Sequence, residues 1–284
     1  MSEPRDKVGI DCRGDVCYLA RVDDSAGRPT VRALARFQRH QLQQHRFLEN
    51  AEVRISLTDR QAVVKSLRLA PTGKLPAEKL ARFEMSQCLL GDEDEFLVDV
   101  AATGQPEHWL GMAVHAETAS DAASLVAEPS DRKQEVMLGL RSWSLGAGFL
   151  TYCHAAGGDV VALADYWDDL TTLCLLHKRR VVSTGVIAHP VGQDCHSPDR
   201  MAMELRTVCN FKTEELADIG INSPLTALLM SGSRCDDVTV GALAKVFSIP
   251  VQPVKMAPGF FPSRVDLDQI PVSRYLAALG LTVA

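Results

Sequence analysis

The sequence lacks long hydrophobic runs and long blocks of a single charge, and both absences narrow the functions open to it. No apolar stretch among its 284 residues approaches the roughly 18 residues of a membrane-spanning helix, and we expect neither a span nor a signal peptide. Lysine and arginine number 30 against 36 acidic residues, for a net charge of −6. A nucleic-acid partner is therefore not expected. With 46% hydrophobic residues, the chain can fill two globular lobes.

Motifs of metal and nucleophile chemistry are missing as well. None of the eight cysteines stands in a C-x-x-C pair, and several lie in apolar runs, so we expect reduced, mostly buried thiols in a cytoplasmic protein. Cys195-His196 has no second ligand pair at a suitable spacing, and no metal site is predicted. A G-x-S-x-G elbow is absent, and the histidines match no serine or cysteine motif. A nucleophilic hydrolase is therefore not expected.

Two similar stretches lie about half the chain apart. Each predicts three antiparallel strands joined by polar turns, over Lys7–Asp11, Val16–Val22 and Thr30–Leu34, and over Val160–Ala164, Thr171–Leu176 and Val181–Ile187. The repetition indicates an internal duplication, in which two facing lobes bring Asp11 and Asp165 to a central cleft. An Asp at a strand end, followed by the pair Thr171 and Thr172, can hold a phosphate or its metal ion. A turn-closing Asp165 and ordinary strand threonines are the alternative.

The remaining sequence predicts further strands and helices. The expected strands are Glu52–Ser56, Ala62–Leu69, Phe96–Ala101, Trp109–His115, Leu225–Met230 and Val251–Val254. Gln38–Phe47 reads as a connector. Two helices are expected at Pro76–Leu90 and Asp199–Ala217, and a third carries the apolar stripe Val136, Leu140, Trp143 and Ala147. A fourth is capped by Asp236 or Asp237 and runs to Phe247. The last is Ser273–Leu279, stopped by Gly280.

Five phrases in this order carry a family resemblance: Val8-Gly9-Ile10-Asp11, Val53–Leu69 with the helix Leu75–Leu90, Val161–Leu176, Leu228–Ser233 and Ala277–Leu281. Together they resemble the actin-like ATPase superfamily, and within it the type IV pilus assembly protein PilM and the cytoplasmic part of the type II secretion protein GspL. The resemblance implies an α/β, actin-like (ribonuclease H-like) duplicated fold with a mixed sheet flanked by helices in each lobe. It places the lobes at 1–150 and 151–284, with a small PilM-type α/β subdomain at about 50–118. Only about 37 residues separate Ile187 from Leu225, so the second insert is reduced.

The resemblance also assigns nucleotide-binding positions, which are Asp11, Gly14, Asp165, Thr171, Thr172 and Gly232. Both phosphate segments of the superfamily use a glycine after the Asp, because a peptide amide must approach the phosphates. Here Arg13 and Trp167 stand in those places, and Gly232 is alone in the adenosine turn. We therefore expect a degenerate ATPase with no catalytic residues and no cofactor.

An active ATPase is the alternative. ATP and Mg²⁺ would then bind, with Asp11 and Asp165 organising the metal through water and the two threonines near the γ-phosphate. This requires Gly14 to serve as the phosphate-approach residue and Trp167 to swing aside. A sugar kinase of the same broad fold would need an intact phosphate loop and a catalytic Asp pattern, which the sequence does not contain.

The partners follow from the resemblance alone. It implies a scaffold of a type IV pilus or type II secretion-like platform, cytoplasmic and peripheral to the inner membrane. The expected partner is the N-terminal cytoplasmic segment of a single-span, PilN-like membrane protein, held in a groove lined from Val53–Leu69 and Leu75–Leu90. A homodimer is compatible with this reading. Alternatively, Leu80, Phe83 and Leu89 belong to the core of the small subdomain.

Overall fold

The computed structural model describes residues 6–25, 27–44, 46–69, 76–103, 107–126, 136–154, 158–189, 197–262 and 271–283. Internal contacts divide the chain into two compact units. The first comprises Met1–Leu57, Ser120–Ala155 and Val254–Ala284, and the second comprises Thr58–Ala119 and Ala156–Pro253. No helix within the described ranges has both the length and the hydropathy of a bilayer span. The lobe boundaries at 1–150 and 151–284 remain a prediction.

The described ranges contain thirteen strands and six α-helices. The strands are β1 (Asp6–Arg13), β2 (Val16–Asp23), β3 (Thr30–Gln38), β4 (Ala51–Leu57), β5 (Ala62–Arg68), β6 (Phe96–Ala102), β7 (His108–His115), β8 (Val136–Leu140), β9 (Val160–Tyr166), β10 (Leu170–His177), β11 (Arg180–Ala188), β12 (Leu225–Ser231) and β13 (Val251–Pro253). The helices are α1 (Ala77–Ser86), α2 (Ala116–Ser124), α3 (Arg141–Tyr152), α4 (Pro198–Asp218), α5 (Asp237–Val246) and α6 (Leu276–Leu281).

The strand order confirms the predicted duplication. One five-stranded sheet has the order β3-β2-β1-β4-β8, and the other has the corresponding order β11-β10-β9-β12-β13. In each sheet the first three strands are antiparallel, and the next two join in parallel. β1 and β9, which carry Asp11 and Asp165, therefore occupy equivalent central positions. A buried central strand must be apolar along most of its length, which is why both runs were recognisable in the sequence.

Close backbone approach fixes α3 and α6 beside the first sheet. A Cβ on Gly9 of β1 would stand 1.9 Å from the carbonyl oxygen of Ala278, and one on Gly280 would stand 1.6 Å from that of Ser144. Only glycine permits contacts of this kind, because any side chain would separate the two backbones. The structure therefore corrects the expectation that Gly280 ends a helix. It lies inside α6 and serves as a packing position.

The second sheet is buried along β9 and β10, every residue of which is buried. Its apolar core includes Leu205 of α4 and Leu243 of α5, among other buried residues. Asp236 caps α5 as predicted, since its carboxylate accepts a hydrogen bond of 2.8 Å from the backbone N–H of Thr239. The helix predicted at Asp199–Ala217 is α4, with its boundary one residue further out at each end.

The small subdomain is a three-stranded antiparallel sheet of order β5-β7-β6 covered by α1. Met85 of α1 packs closely over Gly111 of β7, where a Cβ would stand 2.7 Å from the methionine sulfur. Leu80 and Leu89 pack in this core, as the alternative to a groove lining predicted. Phe83 does not, because its side chain is 57% exposed. The predicted start of this helix, Leu75, lies outside the described residues.

One helix prediction was wrong over part of its length. Val136–Leu140 is the strand β8, parallel to β4, and the helix α3 begins at Arg141. The stripe of Val136, Leu140, Trp143 and Ala147 matches helical spacing, but a five-residue apolar run satisfies strand burial equally well. Tertiary pairing with β4 decides between the two. The predicted connector Gln38–Phe47 contains short 3-10 helices, Arg39–Gln44 and Arg46–Leu48.

The cysteines depart from the prediction at one pair. Cys12 and Cys17 form a disulfide across the β1–β2 hairpin, with a Cα–Cα distance of 4.0 Å. The two residues are direct cross-strand partners one pair away from the turn, so their side chains lie on the same face of the hairpin. Cys174 and Cys209 are free and buried, as predicted, and burial raises the pKa of the Cys209 thiol to about 12. Cys195 lies outside the described residues.

Candidate functional site

Asp11 is fully buried and surrounded by donors from its own unit. Its Oδ2 accepts a hydrogen bond of 2.8 Å from Nε of Arg13, and its Oδ1 accepts one of 2.7 Å from Nε of Arg141. Ser56 donates its hydroxyl to the same Oδ1. Both carboxylate oxygens are therefore engaged by side chains of the protein.

Three different elements bring these donors to Asp11. Arg13 closes β1 two residues after the carboxylate, and Ser56 lies on the adjacent parallel strand β4. Arg141 is the first residue of α3, directly after β8. Its Nη2 also donates a hydrogen bond of 2.6 Å to the carbonyl oxygen of Cys12. Its side chain is 1% exposed, although arginine is rarely buried to this degree unless it is paired.

The electrostatics of this cluster favour the ionised carboxylate. Burial alone would raise the pKa of Asp11, but the guanidinium groups of Arg13 and Arg141 and the Ser56 hydrogen bond outweigh it and lower the pKa from 3.8 to about 2. Two guanidinium cations lie against this one carboxylate. A divalent metal ion would be repelled here, unlike at a carboxylate whose charge faces an open cleft.

Asp165 is held in a similar way in the second unit. Ser231 of β12 donates its hydroxyl to Oδ1 at 2.8 Å, and the indole N–H of Trp167 donates to Oδ2 at 2.8 Å. Asp165, Trp167 and Ser231 are all buried. Trp167, which stands where the resemblance places a glycine, is therefore a hydrogen-bond partner of the aspartate.

The two serines occupy equivalent places in the duplicated sheets. Ser56 of β4 bonds to Asp11 of β1, and Ser231 of β12 bonds to Asp165 of β9. In both sheets the serine strand lies parallel to the aspartate strand. Sequence reasoning did not identify these serines or Arg141. Extending the duplication to the fourth strand of each sheet would have found the serines, since both lie near the end of a predicted strand.

The predicted threonine pair lies beside Asp165 on β10, fully buried. Thr172 is the direct cross-strand partner of Asp165, and Thr171 is that of Tyr166. The Thr171 hydroxyl lies 2.8 Å from Nε2 of His189, a residue that sequence reasoning passed over. Thr171 is thus engaged within the protein, whereas the hydroxyl of Thr172 is buried without a hydrogen-bond partner in the described chain.

The two predicted glycines serve turns and packing. Gly14 has a φ of +57° in the two-residue β1–β2 turn, where a glycine at the first central position is typical of a type II′ hairpin. A Cβ there would meet no atom within 4 Å. Gly232 has a φ of +98°, and a Cβ there would stand 2.2 Å from the carbonyl oxygen of Tyr166. The absence of a side chain at Gly232 therefore allows the backbone of Tyr166 to pack against it.

Each unit therefore contains one buried, hydrogen-bonded carboxylate, and that of Asp11 is also paired with two arginines. Within the described ranges, no group of three or more histidine, cysteine or acidic residues is arranged to hold a metal ion. Chemically, the arrangement supports two buried polar clusters, each at the ends of adjacent parallel strands. Whether the assigned residues bind nucleotide remains a prediction.

No protein-family model matches the sequence, and no curated protein matches it significantly. Among solved structures, the chain is similar to a PilM–PilN type IV pilus biogenesis complex, with 14% identity, a TM-score of 0.64 and coverage of 98% of this chain and 97% of that one.

Two further structures support the same fold. One is a Bacteroides thetaiotaomicron protein of actin-like ATPase fold and unknown function, with 10% identity, a TM-score of 0.54 and coverage of 96% and 98%. The other is the cytoplasmic domain of EpsL, an inner-membrane component of the type II secretion system of Vibrio cholerae, with 8% identity, a TM-score of 0.50 and coverage of 98% and 95%. The chain has the actin-like ATPase fold, as its sequence predicted.

Proposed function

We propose that this protein is an assembly scaffold of a type IV pilus or type II secretion-like inner-membrane platform. In this role it works on the cytoplasmic side of the membrane, holds the cytoplasmic segment of a PilN-like protein and does not hydrolyse ATP. The likeness in fold to a PilM–PilN complex and to the EpsL cytoplasmic domain supports the setting. The occupied carboxylates support the absence of hydrolysis.

The observation that carries the proposal is the environment of Asp11. In an active ATPase of this fold, the resemblance assigns this carboxylate to the metal through water, so it must be free to accept those water hydrogens. Here Arg13, Arg141 and Ser56 donate the hydrogen bonds to the carboxylate instead, and two guanidinium groups replace the exchangeable metal ion. Mg²⁺ would have to displace charge-assisted hydrogen bonds, which are about twice as strong as neutral ones.

Calorimetric titration with Mg²⁺ and ATP, beside a thermal-shift assay, tests this part. A ligand at a hundredfold excess over its Kd would stabilise the folded protein by about 2.7 kcal/mol. We expect no saturable heat and no shift. Saturable, magnesium-dependent binding at micromolar concentration would instead contradict the proposal for Asp11 and Asp165 and favour the active alternative.

The docking part of the proposal rests on the small subdomain. β5 is an edge strand of its sheet, so its outer backbone groups can pair with an extended peptide. Val63 on β5 is 45% exposed and gives that edge an apolar side chain. On the opposite edge, β6 carries Leu97, which is 53% exposed and serves as a matched control.

The corresponding experiment uses a synthetic peptide of the N-terminal cytoplasmic segment of the PilN-like protein from the same cell. We expect saturable binding to the wild type and at least about tenfold weaker binding to Val63→Arg, because a charge would replace an apolar contact. Leu97→Arg should bind as the wild type does. Equal loss in both variants would contradict docking at β5, and absence of wild-type binding would contradict the partner assignment.

A further inference from the structure

The Cys12–Cys17 disulfide joins two strands that the sheet already holds together. β1 and β2 pair at seven consecutive positions, and the two cysteines are partners inside this ladder. They are only five residues apart in the sequence, and a disulfide restricts the unfolded chain less when the loop that it closes is short. The crosslink therefore acts on this end of the hairpin rather than on the fold as a whole.

The second sheet contains the same hairpin without a crosslink. Asp165 of β9 corresponds to Asp11 of β1. The positions of the two cysteines are then taken by Tyr166 and Thr171, which are cross-strand partners and are both buried. The duplicated fold thus forms this hairpin without a disulfide, so the disulfide in the first unit is an addition to what the fold requires.

The crosslink lies directly behind the polar cluster of Asp11. Side chains alternate along a strand, so Cys12 points away from the face that carries Asp11 and Arg13 and packs with the apolar core on the other face. The backbone of Cys12 nevertheless belongs to the cluster, because its carbonyl oxygen accepts the hydrogen bond from Arg141. Arg13, the next residue, donates to Asp11. A crosslink that fixes Cys12 therefore also fixes the backbone on which this ion-pair cluster is built.

The two cysteines differ in their access to solvent. Cys17 is fully buried, whereas Cys12 is partly exposed, so a thiol from solution can approach the crosslink from the side of Cys12. After reduction, a protonated cysteine packs as a small hydrophobic group. The apolar core around Cys17 thus accommodates the reduced form without a buried charge, and both redox states are compatible with the same fold.

We propose that Cys12–Cys17 is a reversible redox switch on the Asp11 cluster, opened by thiol–disulfide exchange with a low-molecular-weight thiol such as glutathione. A thiolate attacks Sγ of Cys12, the bond between the cysteines breaks, and Cys17 leaves with the electron pair and takes up a proton. A second thiolate displaces Cys12, which is also protonated, and the two reductant sulfurs become joined. Two electrons and two protons have then passed to the protein.

The two states differ in how often this end of the hairpin opens. The disulfide restricts the opened form of the chain between residues 12 and 17, and its reduction removes that restriction. The chain-entropy relation gives at most about a fortyfold increase in opening for a loop of this length. In one respect the inference rests on the proposed function, because disulfides in cytoplasmic proteins are mostly transient or redox-sensing.

Limited proteolysis measures the opening at the hairpin itself. The full chain is treated with trypsin, with and without dithiothreitol, and the fragments are separated after complete reduction and alkylation, so that the crosslink cannot hide a cut. We expect cleavage after Arg13 to become about ten- to fortyfold faster on reduction. Cleavage in the β10–β11 turn at residues 178–180, which contains no cysteine, is the internal control and should keep its rate.

Two variants assign the effect to this disulfide. Cys12→Ala cannot form the crosslink and should be cut after Arg13 at the faster rate under both conditions. Cys88→Ala removes a partly exposed free cysteine and should respond to the reductant as the wild type does. Cleavage of Cys12→Ala at the slow rate of the oxidised wild type would contradict the proposal.

A redox titration of the wild type needs no variant. The protein is equilibrated in buffers that range from oxidised to reduced glutathione, alkylated, and weighed by mass spectrometry, and we expect the crosslinked fraction to fall across the series. A crosslink that persists in every buffer, or one that is lost without faster cleavage after Arg13, would overturn the proposal. Neither a PilN-like peptide nor a nucleotide is present, so failure here is distinguishable from failure of the proposed scaffold function.

Discussion

Asparagine in place of Asp11 distinguishes a structural counter-ion from a ligand-binding carboxylate. The substitution keeps the size of the side chain and one acceptor oxygen but removes the anion between Arg13 and Arg141, whose residues are 9% and 1% exposed. Loss of one partner from a buried ion pair costs about 3–5 kcal/mol, because the other charge stays desolvated. Asparagine retains part of the hydrogen bonding, so we expect the free energy of unfolding to fall by about 3 kcal/mol.

Thermal unfolding followed by circular dichroism measures the effect. For a domain of roughly 150–250 residues, a change of this size corresponds to a fall in Tm of roughly 6–12 °C. The matched control is Asp168→Asn, which removes a carboxylate from an exposed ion pair with Arg234. Exposed pairs contribute at most about 1 kcal/mol, so the control should unfold close to the wild type.

The pH dependence provides an independent check. The pKa of Asp11 is lowered from 3.8 to about 2, so its contribution to stability is complete above pH 4 and is lost as the pH falls towards 2. The difference between wild type and Asp11→Asn should therefore be full at pH 7 and shrink below pH 4. Unchanged or increased stability of Asp11→Asn at pH 7, accompanied by lost Mg²⁺-ATP binding, would refute the counter-ion reasoning.

Three substitutions test the packing by denaturant unfolding. Gly280→Ala forces a Cβ against the Ser144 carbonyl and should lose about 3 kcal/mol. Gly241→Ala in α5 meets no atom within 4 Å and should gain about 0.5–1 kcal/mol from helix propensity. Asp236→Ala removes the cap on the Thr239 N–H and should lose about 1 kcal/mol. Any other ranking of the three variants would contradict these packing assignments.

Much of the fold could be predicted because its central strands are buried on both faces. β9, β10 and β12 are continuous apolar runs bounded by turns, and the sequence locates them within one or two residues. Their repetition in the first half predicted the duplicated sheets. β8 was mistaken for a helix because its five residues are too few to show a period, and only pairing with β4 defines them as a strand.

The site was predictable in part. Asp11 and Asp165 were found from their position at strand ends, and Arg13 and Trp167 from the glycines they replace. Their hydrogen bonds to the carboxylates could not be read from spacing. Arg141 lies 130 residues from Asp11 in the chain, so their ion pair depends on the parallel arrangement of β1, β4 and β8. The Cys12–Cys17 disulfide was missed because reduced thiols were inferred from the absence of C-x-x-C pairs and from the apolar runs around the cysteines, without considering the hairpin register.

Arg13 and Arg141 belong to the same chain as Asp11, so they cannot dissociate from it as a ligand can. A metal ion or nucleotide leaves a site when its concentration falls, whereas side chains of the same chain remain beside Asp11 at a fixed effective concentration. Under the proposed scaffold function, the state of this unit does not depend on the concentration of ATP. The order of assembly of the proposed platform is then set by the binding and release of neighbouring proteins.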